Sequence, residues 1–260
     1  MQESIHTNSK RPTFEILHIY ERDNPDKYWK SFLIETIYNN KNIGNEHNDI
    51  ITLYFRCVGE KQDPELSFRA IHTILKNDNN VIVSETISLT CGSLGIWHND
   101  YKGNRLGRWL FNEIVTWAKQ WPNADVNSIR LGPADATEDN LERRNKMYTG
   151  VGLEFDYDDN ENRTGRSREM KASKLIILSS WKKENGGNIV IHNIDDYINE
   201  LIKESESLKR EMENKKLRIN SLNQKLSIME SKTIKGILRR TSSRTSRGII
   251  KFLNLIFKDS

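Results

Sequence analysis

The chain has 260 residues, 36% of them hydrophobic and 29% charged, more polar than a fully packed globule needs, so part of it is expected to lie outside a core. Its net charge of +4 is unevenly placed. Between Ser231 and Ser260, eight basic residues (Lys232, Lys235, Arg239, Arg240, Arg244, Arg247, Lys251, Lys258) face the single acid Asp259, leaving this tail at +7 and the remainder at −3. Such asymmetry points to a tail with an anionic partner of its own. Cys57 and Cys91 are too few for a disulfide framework and have no zinc-ligand spacing around them; no metal site is expected, and the pair reads as reduced, inert thiols of a cytoplasmic protein. The polar stretch Met1 to Arg11 argues against a secretory signal. No apolar run reaches the roughly 18 residues of a membrane span.

In chain order, Phe14 to Ile19, Ile50 to Val58, Phe68 to Leu75 and Val81 to Cys91 read as strands, with Asn77 to Asn80 as a turn between the last two. Leu106 to Trp121 is a helix by periodicity: Leu106, Leu110, Ile114, Val115 and Trp117 share one face, and Pro122 ends it. Ile129 to Leu131 reads as a short buried strand and Glu142 to Tyr148 as a helix. The order predicts a mixed α/β domain over 1–176, a central sheet flanked by helices. Residues 177–192, containing Lys182 to Asn188 (KKENGGN), are expected to be a linker.

Residues 193–230 change character. With Ile198 at position a of a heptad, Ser205, Met212, Ile219 and Leu226 also fall at a, and Leu201, Leu208, Lys215, Leu222 and Met229 fall at d. Apolar residues hold all of these positions except Ser205 and Lys215, and no Pro or Gly interrupts them, which predicts a long coiled-coil helix and a homo-oligomer. An amphipathic helix folded back on the domain is the competing reading. Residues 231–260 form a basic amphipathic tail in which Lys251, Asn254 and Lys258 make one polar stripe among Ile, Leu and Phe. Three partners stay open for it: an anionic membrane surface, a partner helix, and, least favoured, nucleic acid through phosphate contacts. The first would make the cytoplasmic protein peripheral at a membrane.

Leu94 to Leu110 (LGIWHNDYKGNRLGRWL) carries the chemistry. A strand ends, a glycine-containing loop follows, and a helix starts at once. Successive backbone N–H groups and the positive end of a helix dipole make such a place an anion cradle. Lys102, Arg105 and Arg108 add full charges.

Lys102-Gly103-Asn104-Arg105-Leu106-Gly107 resembles the pyrophosphate-binding signature of the GNAT acetyltransferase superfamily: Arg or Gln, two residues, Gly, one residue, Gly or Ala. Arg105 and Lys102 depart from the pattern. A second stretch, Arg143 to Phe155 with Tyr148 ahead of Gly150 and Gly152, resembles the helix and strand that this family places later in its chain. The resemblance covers about 14–175.

It implies a GNAT-like fold and transfer of acetyl from acetyl-CoA to an amine, that of a macromolecule such as a protein, with no acyl-enzyme. The pyrophosphate would dock on the amides of Asn104 to Arg108, flanked by Lys102 and Gly103, and the thioester would lie against Ile96 and Trp97. Asn140 is a further cofactor-binding candidate, though one residue further from Tyr148 than the family's usual spacing. Tyr148 would protonate the leaving thiolate, a proton transfer between groups of similar basicity. His98 and Glu85, near predicted strand ends, are candidate bases, and a water chain is the alternative. The acidic run Asp156 to Glu161 reads either as a steering patch for a cationic amine or, preferably, as a solvated turn. A different class of function also fits: a catalytically weak GNAT-like scaffold whose coiled coil and basic tail mediate oligomerisation and membrane or partner binding.

Overall fold

A computed structural model describes residues 11–60, 66–91, 101, 103–138 and 140–256. The chain divides into two compact units, Met1–Tyr197 and Ile198–Ser260.

In the first unit, β1 (Thr13–Glu21), β2 (Asn24–Ile43), β3 (Glu46–Cys57), β4 (Leu66–Lys76) and β5 (Ile82–Ser88) form an antiparallel meander. The β4–β5 turn follows from Asn77, whose Oδ1 accepts the amides of Asn79 and Val81, each at 3.0 Å, while Asn80 takes a positive φ of 61°. Helix α1 (Leu106–Ala118) then returns the chain to β6 (Asp125–Val126), which pairs parallel with β5. The sheet of the described residues runs β10-β6-β5-β4-β3-β2-β1-β11, with β10 at Met170–Lys171 and β11 at Ile189–Asn193. A second, smaller sheet holds β7 (Arg130–Leu131), β9 (Gly165–Ser167) and β8 (Phe155–Tyr157), with α2 (Leu141–Gly150) between β7 and β8.

Alternation decides which face is covered. Leu17 and Ile19, Phe32 and Ile34, Ile51 and Leu53, Phe68 and Ala70, and Ile87 and Leu89 are all buried, and α1 covers the core with Trp109, Leu110, Phe111, Ile114 and Val115. Burying apolar surface at roughly 25 cal/mol per Å² makes this layer the main source of stability.

Residues 177–192 do not behave as the expected linker. β11 hydrogen-bonds to β1 from Glu15↔Asn193 to Ile19↔Ile189, and Trp181 is buried with its ring edge-on to Trp109. The two glycines instead close a tight turn. A Cβ on Gly187 would lie 2.1 Å from the Trp181 carbonyl oxygen, so only glycine fits there. The longest strand, β2, also went unassigned in the sequence. Asn24-Pro25-Asp26 and the run Asn39 to Asn42 carry turn chemistry, yet Asn24 pairs with Glu21 of β1 and Asn39 to Asn42 pair with Ile50 to His47 of β3, so both ends belong to the strand.

The second unit is helical: α3 runs unbroken from Ile194 to Ile256, 63 residues. It absorbs most of the segment expected as a separate tail. No helix among the described residues is long and apolar enough to cross a membrane.

Candidate functional site at the N-terminus of α1

The loop entering α1 is held at an unusual geometry. Gly103 has φ 94° and Arg105, the N-cap residue, has φ 64° and ψ 4°. A left-handed conformation costs a non-glycine residue about 1–2 kcal/mol, and the surrounding contacts offset it. Arg105 Nη1 donates to the Ser180 carbonyl at 3.0 Å. The Arg22 amide, in the β1–β2 turn, donates to Asn104 Oδ1 at 3.2 Å, and buried Asn188 donates from Nδ2 to the carbonyls of Tyr20 (2.8 Å) and Asn104 (3.2 Å). Upstream, Tyr101 is buried edge-on to Phe32, and its hydroxyl donates to Glu60.

The first turn of α1 is left open to an anion. The Trp109 amide donates to the Arg105 carbonyl at 3.0 Å, which starts the helical ladder and leaves the amides of Leu106, Gly107 and Arg108 ahead of it. The N-cap Arg105 makes no side-chain cap bond, and the turn holds no acid. Three arginines gather there instead. Partial burial, then the positive charges of Arg22 and Arg108, push the Arg105 guanidinium below its ordinary proton affinity. Uncompensated like charge beside the first amides of a helix is costly without a counter-charge and favourable with one.

The main sheet splits beyond β5. β5 and β6 pair in parallel at Thr86↔Asp125 and Ile87↔Val126, with two further bonds, from the Asn127 amide to the Ile87 carbonyl at 2.8 Å and from Asn127 Nδ2 to Ser88 Oγ at 2.7 Å. The chain then diverges, because Ile129 donates from its amide to Ser167 Oγ at 2.8 Å and β7 joins the smaller sheet. The loop that opens α1 is held at the other side of the sheet, against the β1–β2 turn and residues 180–188 that lead into β11.

The other candidates distribute unevenly. Tyr148 lies on α2, buried, its ring edge-on to Phe111 of α1 at 5.4 Å and tilted against Phe155 at 5.8 Å. Phe111 sits near the middle of α1, so Tyr148 packs against the centre of that helix. Asn140 is the N-cap of α2, accepting the Arg144 amide at 2.8 Å through its carbonyl. Ile96, Trp97, His98 and Lys102 lie outside the described residues.

Glu85 belongs elsewhere. Its carboxylate is 3.1 Å from Nε2 of His72, whose Nδ1 is 3.1 Å from Asp49, which also meets His47 Nε2 at 3.2 Å. His72 is fully buried and stacks on Trp121 at 4.0 Å, three residues beyond the last turn of α1. A helix of 13 residues is about 20 Å long, so Glu85 and the cradle sit at opposite ends of it. The acidic run is structural in part. Asp159 accepts the amides of Glu161, Arg163 and Thr164, which holds its carboxyl down at about 2, and Asp156 pairs with Arg168 at 2.7 Å. Burial pushes the Cys91 thiol up and, with Glu60 nearby, the Cys57 thiol to about 11, so neither is poised as a thiolate. Among the described residues no cluster of His, Cys, Asp and Glu could hold a metal ion.

The sequence reading missed Arg22, the His72 network and Arg144. Arg144 is buried and donates to the carbonyls of Gly132 (2.8 Å) and Arg163 (2.9 Å), clamping α2 to its flanking loops. A histidine in step with Phe68 and Ala70 on the apolar face of a strand was a readable signal. Arg22 carried none, being 83 residues from Arg105 in the chain. No protein-family model, curated protein or solved structure matches the chain.

Proposed function

We propose that this chain is an N-acetyltransferase that moves an acetyl group from acetyl-CoA to an amine, the amine belonging to a protein or another macromolecule. The first turn of α1 carries the proposal: its N-cap Arg105 makes no side-chain cap bond, the turn holds no acid, and Arg105 feels the positive charges of Arg22 and Arg108. A pyrophosphate suits that place, since it brings two adjacent negative charges and many acceptor oxygens. A lone carboxylate would leave most of the positive charge unanswered.

The thioester would extend from the cradle toward the gap between β5 and β7. An acceptor amine in its neutral form attacks the carbonyl carbon, the C–S bond breaks, and the thiolate takes a proton. Tyr148 is the proposed donor, its ring fixed by Phe111 and Phe155 so that the hydroxyl keeps one direction. The amine's proton leaves through His98 or a chain of water, Glu85 being engaged with His72 beyond the other end of α1. The basic C-terminal residues 231–260 would bring the enzyme to an anionic surface, a membrane before nucleic acid.

One observation favours the scaffold reading. Arg105 occupies a left-handed position that glycine fills without strain, and a chain that no longer binds the pyrophosphate has no use for glycine there. Titration calorimetry of the full chain with acetyl-CoA separates the two. Micromolar binding with 1:1 stoichiometry per chain supports the transferase, and the absence of heat up to millimolar acetyl-CoA supports the scaffold.

A further inference from the structure

The second unit is a helix whose apolar residues nothing covers within its own unit. Ile198, Leu201, Leu208, Ile219, Leu222 and Leu226 are 46% to 59% exposed along one seam. Helix propensity and i,i+4 pairs alone do not hold so long a helix with an apolar stripe in water; packing of the stripe does. The occupant of that seam can be read from the charges that flank it.

In the heptad frame with Ile198 at a, the g positions are Glu204, Glu211, Arg218 and Lys225, and the e positions five residues further on are Lys209, Lys216, Asn223 and Glu230. In two parallel helices in register, each g residue meets the e residue five places later on the other chain. The meetings are Glu204 with Lys209, Glu211 with Lys216, Arg218 with Asn223, and Lys225 with Glu230. Every meeting of two charged residues joins opposite signs, and symmetry doubles each. Turning one helix round changes the result. With a facing d in the antiparallel pair centred on the same stripe, Glu204 finds Lys225 and Glu211 finds Arg218, but Lys209 is set against Lys216, a repulsion the parallel pair does not contain. A partner of unrelated sequence has no reason to match this pattern, whereas a second copy matches it automatically.

Lys215 at d is the apparent obstacle, because two parallel copies would bring it to one layer. The helix already answers this: Lys215 Nζ lies 2.5 Å from Glu211 of its own chain, so the ammonium is drawn off the seam toward the flank and its stem can stay at the edge. A single such layer lowers stability while fixing register and strand number.

We infer that a second copy of this chain covers the apolar stripe of α3, forming a parallel, in-register, two-stranded coiled coil through Ile198 to Met229. The N-terminal ends of the two helices then lie together, and so do their basic C-terminal ends, at high effective concentration for any anionic partner. The acetyl-transfer proposal is not needed for this and does not fall with it.

The test uses the full chain with Ser205→Cys. In the parallel pair, residue 205 meets itself in one a layer, and in the antiparallel pair it faces Leu222. Light scattering should give the mass of two chains. Mild oxidation followed by digestion should yield a disulfide between the two copies of residue 205 in most of the protein. A monomer mass overturns the inference, and so does a dimer whose 205 peptides stay reduced. A second pair of variants guards against a poorly reacting thiol. Glu211→Lys should weaken dimerisation about tenfold, since two exposed attractions become two repulsions. Adding Lys216→Glu should restore it to within about threefold. A double variant no tighter than the single one also overturns the parallel arrangement.

Discussion

The two ends of α1 treat their polar groups in opposite ways. Past the C-terminal end, each polar atom of His72 has a partner, with a carboxylate on either nitrogen and an indole against the ring. Lys119 finishes the helix by donating to the carbonyls of Ser173 and Leu175 at 2.9 and 2.6 Å. At the N-terminal end the N-cap residue makes no side-chain cap bond, is held in a left-handed conformation, and is an arginine that feels the charges of two more, Arg22 and Arg108. A satisfied network explains itself as structure. An unsatisfied and electropositive one is incomplete without something outside the chain. Charged residues near a predicted strand end therefore do not mark the active end by themselves, and Glu85 illustrates it.

The sharpest way to break that contrast is to fill the open end. Gly107→Glu places a carboxylate within the first turn, where it competes with an incoming pyrophosphate for the same amides and arginines. Affinity for acetyl-CoA should fall at least 100-fold by calorimetry, while circular dichroism and thermal unfolding stay within a few degrees of the parent. Unchanged affinity would remove the α1 N-terminus from the binding site.

The C-terminal half of α1 contains the next largest effect. Burial, then the charge of Glu15, raises the Glu113 carboxyl from its ordinary 4.5 to about 7, against smaller opposing effects of Asn112 and Lys182. Glu15 is itself raised by burial, and Tyr38 across the sheet is raised by burial and by both acids. The folded state therefore holds a proton that the unfolded chain has released between pH 4.5 and 7, so stability falls as pH rises through that window. At about 1.4 kcal/mol for each tenfold change in proton affinity, the loss is at most about 3.5 kcal/mol. Urea unfolding of the parent at pH 5 and pH 8 should show it, and Glu113→Gln should flatten the difference. An equally steep loss in the variant would assign the pH dependence to other groups.

Much of the fold was legible because its elements are locally consistent. Leu106 was readable as the first residue of α1, since periodicity begins there and basic, non-helical residues precede it. The strands around Ile50, Phe68 and Val81 were legible from dense β-branched and aromatic residues. β2 and β11 carry the same residue types, Phe32 to Tyr38 and Ile189 to Ile191, but Asn24-Pro25, Asn39 to Asn42 and Gly186-Gly187 beside them read as turn or linker. At the site, local reading reached Gly103 to Arg108 but could not supply Arg22, which a hairpin 80 residues upstream brings to the Asn104 loop. Nor could it tell that the core-face parity of Glu85 points it at His72.

Tyr148 offers a smaller test, at the middle of α1. Tyr148→Phe keeps the ring between Phe111 and Phe155 and removes the hydroxyl. Turnover on a small amine should drop about 10- to 100-fold with acetyl-CoA affinity within about twofold, the pattern of a lost proton donor. Equal losses of turnover and affinity would instead indicate a residue that shapes the binding cleft.

The smallest effect separates strain from charge at the N-cap. Arg105→Gly relieves a left-handed arginine, worth about 1 kcal/mol, but deletes the bond to Ser180 and frees the unfolded chain, which cost about as much. Stability should therefore move by less than about 1 kcal/mol in either direction. Affinity should respond differently, because glycine keeps the backbone turn and removes one of three positive charges. Where Arg22 and Arg108 remain, a loss of about three- to tenfold in acetyl-CoA affinity is expected, and it should shrink as salt rises. A tighter complex after the substitution would mean that arginine obstructs a cradle that prefers glycine, and the strained N-cap would then count against catalysis. Unfolding and calorimetry on one preparation, each at low and high salt, give both answers.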